Sequence, residues 1–253
     1  MSSWGYARAE ILILIACGLW SCATPPEEQV APPTLNPDLV QRGAFVFVDP
    51  RISADGSRAC ATCHPGGGSD GGVYRNGAAT APGTPGARKS PSLRGLWQTA
   101  PYMWDGSLPD VRSTLERMLS VEMGGGELAP YDLDALEAYV LAFLPFDRGH
   151  LEADGTPVEP VTLAARRGAA VFVKAECHTC HPAPVYTRPL RYDLGTGREI
   201  DTPTLLGLSS SPPYGHDGRW ATIEDTVDAM LAALDTKLSD RERHQLVEYL
   251  KLF

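Results

Sequence analysis

The 253-residue sequence has no excess of positive charge: 22 Lys and Arg stand against 31 Asp and Glu, a formal net charge of −9. Nucleic-acid binding needs a basic footprint, so that class is excluded, and an acidic surface serves solubility or a cationic partner. The sequence also lacks a hydrophobic run long enough to span a bilayer, which takes about 20 residues. No segment alternates apolar and polar residues for long enough to demand a sheet, so the expected class is all-α. Sulfur and imidazole are scarce, with six Cys, five Met and six His, and no His lies between His64 and His150. Each of these few residues therefore carries weight.

The first 22 residues, MSSWGYARAEILILIACGLWSC, pair one Arg with an apolar run from Ile11 to Trp20 and small residues near the end. Such a pattern is a secretory signal rather than part of a fold. Its ending, LWSC, resembles a bacterial lipobox with Cys22 as the lipidated residue; LIAC, ending at Cys17, is the second candidate. Residues 23–38 are rich in Pro and read as a stiff, extended tether. The expectation is export to the periplasmic side of a bacterial envelope, with the membrane touched only through a lipid anchor at Cys22.

What is present is present twice. QRGAFVF at 41–47 returns as RRGAAVF at 166–172, and CATCHP at 60–65 as CHTCHP at 177–182. PSLRGL returns as PTLLGL, with Pro91 and Pro203 offset by 112 residues. TAPYMWDGSL (99–108) is echoed by SPPYGHDGRW (211–220), and Tyr102/Tyr214, Asp105/Asp217 and Met118/Met230 keep that offset. Sequence analysis thus predicts an internal duplication: one unit over 39–148, a linker over 149–161, and a second unit over 162–253. The segments around RGA.VF, LPDVRSTLERMLSVEM, TIEDTVDAMLAAL, DLDALEAYVLAFL and SDRERHQLVEYLKLF read as helices, with Asp132 and Ser239 as N-caps. The Gly/Pro-rich stretches after the first CxxCH read as loop.

The four Cys beyond the leader, Cys60, Cys63, Cys177 and Cys180, form two C-x-x-C pairs, each followed by a histidine, His64 and His181. In an exported protein, C-x-x-C-H is the haem c attachment motif. Two Cys three apart reach both vinyl groups of one porphyrin, and the next His lies beneath the iron. A zinc ribbon would bring its pairs within 15–20 residues of each other, and a thioredoxin-like dithiol needs neither the His nor this context. Two haem c groups are therefore expected, with His64 and His181 as proximal iron ligands and His178 facing solvent. His150 and His244 likewise read as solvent-facing.

The ligand on the other face of each iron decides the chemistry: His/Met haem shuttles electrons, and an open iron binds small molecules. Met118 and Met230 lie twelve residues past the Asp-Gly turns of their units. Their matched positions make them the expected distal ligands, with Met123 and Met103 as alternatives in the first unit. Trp104 and His216 share an equivalent slot before Asp-Gly. A His there can be a ligand, a proton carrier or a structural residue, and the structural role is the commoner one.

With these motifs in hand, the sequence resembles the bacterial di-haem cytochrome c peroxidases and their relatives in methylamine-dehydrogenase maturation. The resemblance rests on the two CxxCH motifs, SPSLRGL…APYMWDGSL, and DTPTLLGL…PPYGHDGRWATIEDTVDAM. It implies that Met230 ligates the electron-transferring haem of the second unit and that Trp104 relays electrons between haems. Four departures accompany it. No His lies between His64 and His150 to cap the first haem. Met118 falls where a distal Gln is usual, and the acidic group of the peroxidases has its counterpart in Glu122, two residues out of register. Lys89 stands where an Asn usually helps bind calcium, which argues against calcium here.

The reading preferred on sequence is a two-haem electron carrier between envelope redox partners: a small cytochrome, a cupredoxin or an envelope oxidoreductase. The alternative is a peroxidase that reduces hydrogen peroxide at the first haem, with Glu122 as acid–base group. A third reading is a subunit of a larger oxidoreductase.

Overall fold

The computed structural model describes residues 31–125, 128–194 and 197–253. The leader and its two candidate lipidation sites, Cys17 and Cys22, lie outside the described residues. The first helix, α1 (Pro37–Val48), starts inside the stretch read as tether. Its first turn is set by Asn36, whose side chain accepts the Asp38 N–H at 2.9 Å, and by Pro37, which has no N–H to leave unpaired. It leads to a single helical turn, α2 (Cys60–Cys63). The helix α3 (Val111–Arg117) runs directly into a wider π-helical turn over Met118–Glu122, and α4 (Pro130–Leu141) closes the half. The second half has α5 (Leu163–Lys174), the one-turn α6 (Cys177–Cys180), α7 (Ile223–Ala233) and α8 (Asp240–Leu250).

Each half has its own apolar core. In the first, Val46 and Phe47 of α1 meet Leu133, Leu136 and Val140 of α4. In the second, Val171 and Phe172 of α5 meet Leu246, Val247 and Tyr249 of α8. The RGA motifs have a packing reason. A Cβ on Gly43 would sit 2.0 Å from the Ala135 carbonyl oxygen, and one on Gly168 2.0 Å from that of Gln245. Only Gly lets these helix pairs approach so closely.

The all-α expectation needs correction: the protein is mostly helical but carries two small antiparallel sheets. β1 (Val73–Arg75) lies between β2 (Ala78–Ala79) and β3 (Arg88–Lys89), with Tyr74 opposite Ala79 on one side and Arg88 on the other. β4 (Arg188–Tyr192) pairs with β5 (Ile200–Thr202) through a bulge between Arg188 and Arg191. Strands of two to five residues are too short for alternation to register. A hairpin signal was nonetheless there: Asn76-Gly77, with φ of 50° and 73°, makes the β1–β2 turn. A smaller correction concerns α4, which starts at Pro130 with Ala129 as cap, so Asp132 sits inside the first turn and pairs with Arg42 at 2.7 Å. Ser239 caps α8 as expected, in a capping box with Glu242. No helix among the described residues is long and apolar enough to cross a membrane.

Candidate haem-binding sites

The two C-x-x-C-H segments fold alike. Each pair of Cys spans one helical turn, and the following His leaves the helix with nearly the same backbone angles, φ −124° and ψ 59° at His64 and −118° and 65° at His181. The His64 N–H donates to the Cys60 carbonyl and the His181 N–H to that of Cys177, both at 2.9 Å. Each imidazole is held through Nδ1, by the Gly68 carbonyl at 3.3 Å and the Tyr186 carbonyl at 3.0 Å. With Nδ1 as donor the lone pair lies on Nε2, the arrangement of a metal-ligating His with its ring oriented from behind. Burial pushes both imidazoles below the usual range, so they are neutral at pH 7.

The repeated Pro-Ser-Leu and Pro-Thr-Leu segments strap these loops down. In the first half Ser90 Oγ donates to the Cys63 carbonyl at 2.8 Å and the Leu93 N–H to Gly67 at 2.9 Å. In the second, the Leu205 N–H donates to Tyr186 at 3.2 Å.

All four Cys are half-buried free thiols. Burial pushes the Cys60 thiol up to about 12 and the Cys177 thiol up to about 11. Among the described residues no three His, Cys, Asp or Glu converge as a metal cluster. The donor set instead fits a group that brings its own equatorial ligands and takes one imidazole beneath the metal. Two buried donors, Trp97 Nε1 and Arg148 Nε, have no acceptor within the chain. A buried N–H left unpaired is costly, and a prosthetic group bearing carboxylates supplies acceptors.

The sulfur ligands expected on the distal side are sorted by packing. Met123 packs against the first apolar core. Met118, at the start of the π-helical turn, and Met230, in α7, are half-exposed. Met103 has φ 70°, in the left-handed region where its counterpart in the second half is Gly215, φ 80°. Glu122 closes the π-helical turn, its carboxylate 4.0 Å from Arg117 Nη2. His150, His178 and His244 are exposed, as expected.

The structure brings Trp104 and His216 together at the junction of the halves, ring centroids 5.9 Å apart and planes inclined by 29°. Their loops are built alike. Tyr102 pairs with Leu108 and Tyr214 with Trp220, and each tyrosine hydroxyl donates to a backbone carbonyl six residues upstream, Leu96 at 3.0 Å and Leu208 at 3.1 Å. The loops are then held reciprocally. The Lys89 N–H of β3 donates to the His216 carbonyl and the Asp201 N–H of β5 to the Trp104 carbonyl, both at 2.9 Å. Lys89 and Asp201 are themselves 112 residues apart, as are Trp104 and His216. The Lys89 ammonium also spans the junction, donating to the Ser211 carbonyl at 2.9 Å and hydroxyl at 2.6 Å.

A residue that sequence reasoning did not single out completes the junction. The Arg88 guanidinium carbon stands 3.7 Å from the centroid of the Trp104 ring. Nothing in the sequence signalled it, because the two residues meet only through the small sheet that was not anticipated.

Two family models match this chain. The one described as "Di-haem cytochrome c peroxidase" covers residues 37–143, and the one described as "Cytochrome C oxidase, cbb3-type, subunit III" covers residues 163–250. The first half thus carries a di-haem cytochrome c peroxidase-type domain and the second a cbb3-type cytochrome c domain, with MauG proteins and a cytochrome-c peroxidase among the homologues. The chain's cofactors are two haem c groups. Methylamine utilization protein MauG of Methylorubrum extorquens is 27% identical over 86% of this chain and 78% of its own length. Hydrazine synthase subunit gamma of Kuenenia stuttgartiensis is 27% identical over 85% of this chain and 77% of its own length. Among solved structures, Kuenenia stuttgartiensis hydrazine synthase superposes with a TM-score of 0.72 at 22% identity, covering 98% of this chain and all of that one, a likeness of fold. These matches support haem-based redox activity.

Proposed function

We propose that the protein is an exported di-haem electron carrier in which both irons are held between His and Met. Cys60, Cys63 and His64 hold the first haem and Cys177, Cys180 and His181 the second; Met118 and Met230 are the distal ligands. Haem so ligated supplies reversible one-electron transfer with little structural change. The observation that carries the reading is the matched position of Met118 and Met230 in the two repeats, both half-exposed and neither packed against an apolar core, whereas Met123, half-exposed too, packs against the first core. His64 and His181 are held through Nδ1, which leaves Nε2 of each free to bind iron. Trp104, beside His216 at the junction, is the bridge between halves. The repeated motifs and equivalent loops support two domains, 39–148 and 162–253, that arose by duplication. The partner is a small cytochrome, a cupredoxin or an envelope oxidoreductase, and an amino-terminal lipid anchor at Cys22 holds the protein on the periplasmic side.

A second reading is favoured by the match of the first half to the peroxidase model. There Met118 stays off the iron and Glu122, within reach of Arg117, handles protons for peroxide reduction. Optical and electron paramagnetic resonance spectra of the oxidised holoprotein, before and after hydrogen peroxide, separate the two. The carrier shows two low-spin haems that ignore peroxide, and Met118→Ala converts one to a high-spin, cyanide-binding form. One high-spin, peroxide-reactive haem in the unmodified protein overturns the carrier reading.

A further inference from the structure

Three groups meet at the junction of the halves, and the relay uses only two of them. The Trp104 ring lies beside His216, and over its face stands the Arg88 guanidinium at 3.7 Å. Arg88 is half-buried at the start of β3, its Nη1 donating to the Ala87 carbonyl while Nε has no acceptor. An arginine held this way is not there for a salt bridge, since no carboxylate takes its Nε.

A neutral indole attracts a cation over its face through the negative π cloud. An indole that has lost an electron is itself a cation, and the same contact becomes repulsive. At this separation, in a half-buried setting, the change of sign penalises oxidation of the ring. The nearby carboxylates do not cancel it. Asp217 is committed to Arg219 at 2.7 Å, and Glu122 faces Arg117 at 4.0 Å. Asp105 remains as a counter-charge, yet Arg88 is the charge that the structure stacks on the ring.

We propose that Arg88 keeps Trp104 in its neutral, closed-shell form, so that the indole passes electrons as a bridge and is not itself oxidised. Arg88 is thus a positioning residue that acts through Trp104, and the role deepens the relay proposed above and rests on it. The imidazole of His216 beside the ring carries no opposing charge, because burial pushes its pKa below the usual range.

The test needs no turnover. Ferric holoprotein is illuminated with ruthenium tris(bipyridine) and persulfate in air, and the photogenerated ruthenium(III) takes one electron from an indole and becomes ruthenium(II). The ring loses its Nε1 proton to water, and the neutral radical then combines with dioxygen, so that oxygenated Trp is located by peptide mass mapping. Trp220, whose nearest guanidinium, that of Arg219, is 6.0 Å from the ring, and Trp97 serve as internal standards. Arg88→Gln is expected to raise oxygenation of Trp104 about tenfold relative to Trp220, tenfold being about 1.4 kcal/mol, within the range of a desolvated cation–π contact. Arg88→Lys, which keeps the charge but not the shape, restores the resistance. Equal oxygenation in Arg88→Gln and the unmodified protein overturns the role of Arg88, as does a lysine variant as labile as the glutamine one. The relay is tested separately: if Trp104→Phe leaves electron transfer between the haems as fast as before, there is no bridge for Arg88 to protect.

Discussion

A carboxyl that loses more hydration than its hydrogen bonds replace prefers to stay protonated, and Asp201 in β5 is in that position. Its Oδ1 is buried with no partner, and burial, opposed by the Thr202 N–H and by Arg191, pushes the group up to about 7. An unfolded Asp titrates near 3.9. Between those two values the folded chain binds a proton that the unfolded chain has released, so this group's contribution to stability is present at pH 4 and is lost as the pH rises through 7. Asp201→Asn should therefore raise the thermal midpoint of the holoprotein by a few degrees at pH 8 and change it little at pH 4, because solvent at the half-buried carboxyl trims the full effect. An equal change at both pH values would show that the carboxyl is not protonated in the fold. Met103 is another residue out of its ordinary state. Its φ of 70° costs a non-Gly residue on the order of 1 kcal/mol, where the matching position in the second half is glycine.

Among the elements, the helices forming each core depend on one glycine apiece. Gly43→Ala or Gly168→Ala drives a methyl group into a backbone carbonyl of the facing helix, which must move away. Each is expected to cost about 1–3 kcal/mol, read as an earlier midpoint in urea denaturation of the holoprotein. A loss near that of an exposed helical Gly→Ala, which is neutral or favourable, would show that α1 and α4 or α5 and α8 cross less closely. These helices were legible because their apolar positions recur at helical spacing, but that the Gly of each RGA repeat is where the helices cross emerged only from the structure. The two CxxCH segments were legible from spacing, though not that each Cys pair spans one helical turn. The small sheets were not, since β2 and β3 have two residues each and their pairing depends on the Asn76-Gly77 turn. The start of α4 was misplaced because Pro130, with no N–H to leave unpaired, opens the helix before Asp132. The site was therefore legible where chemistry requires consecutive residues. It was not legible where contact across the junction creates it: Trp104 and His216 were singled out, but not their contact with each other or with Arg88.

At the scale of the molecule, the halves interlock through their aromatic loops. The loop bearing Trp104 is held by Asp201 of the second half, and the loop bearing His216 by Lys89 of the first. Further bonds follow the same exchange: the Gly83 N–H donates to the Asp217 carbonyl at 2.9 Å, and Arg191 Nη1 reaches the Asp105 carbonyl at 3.4 Å. Freeing either half leaves backbone carbonyls of its own loop without donors. Calorimetry of the holoprotein should accordingly give a single unfolding transition in which both haem environments change together. Two separated transitions, one for each haem, would mean that the loops touch without coupling the halves.

The reciprocal clasp also bears on how such a protein can change over generations. The two halves match different family models, as if each were a cassette to be exchanged at will. Yet each contributes the donor that completes the other's loop, and a graft of one half from a relative arrives with a mismatched partner for Trp104 or His216. Recombination at the linker is therefore tolerated only when residues 88–89 and 201 travel with the loops they serve, so the heritable unit is the pair.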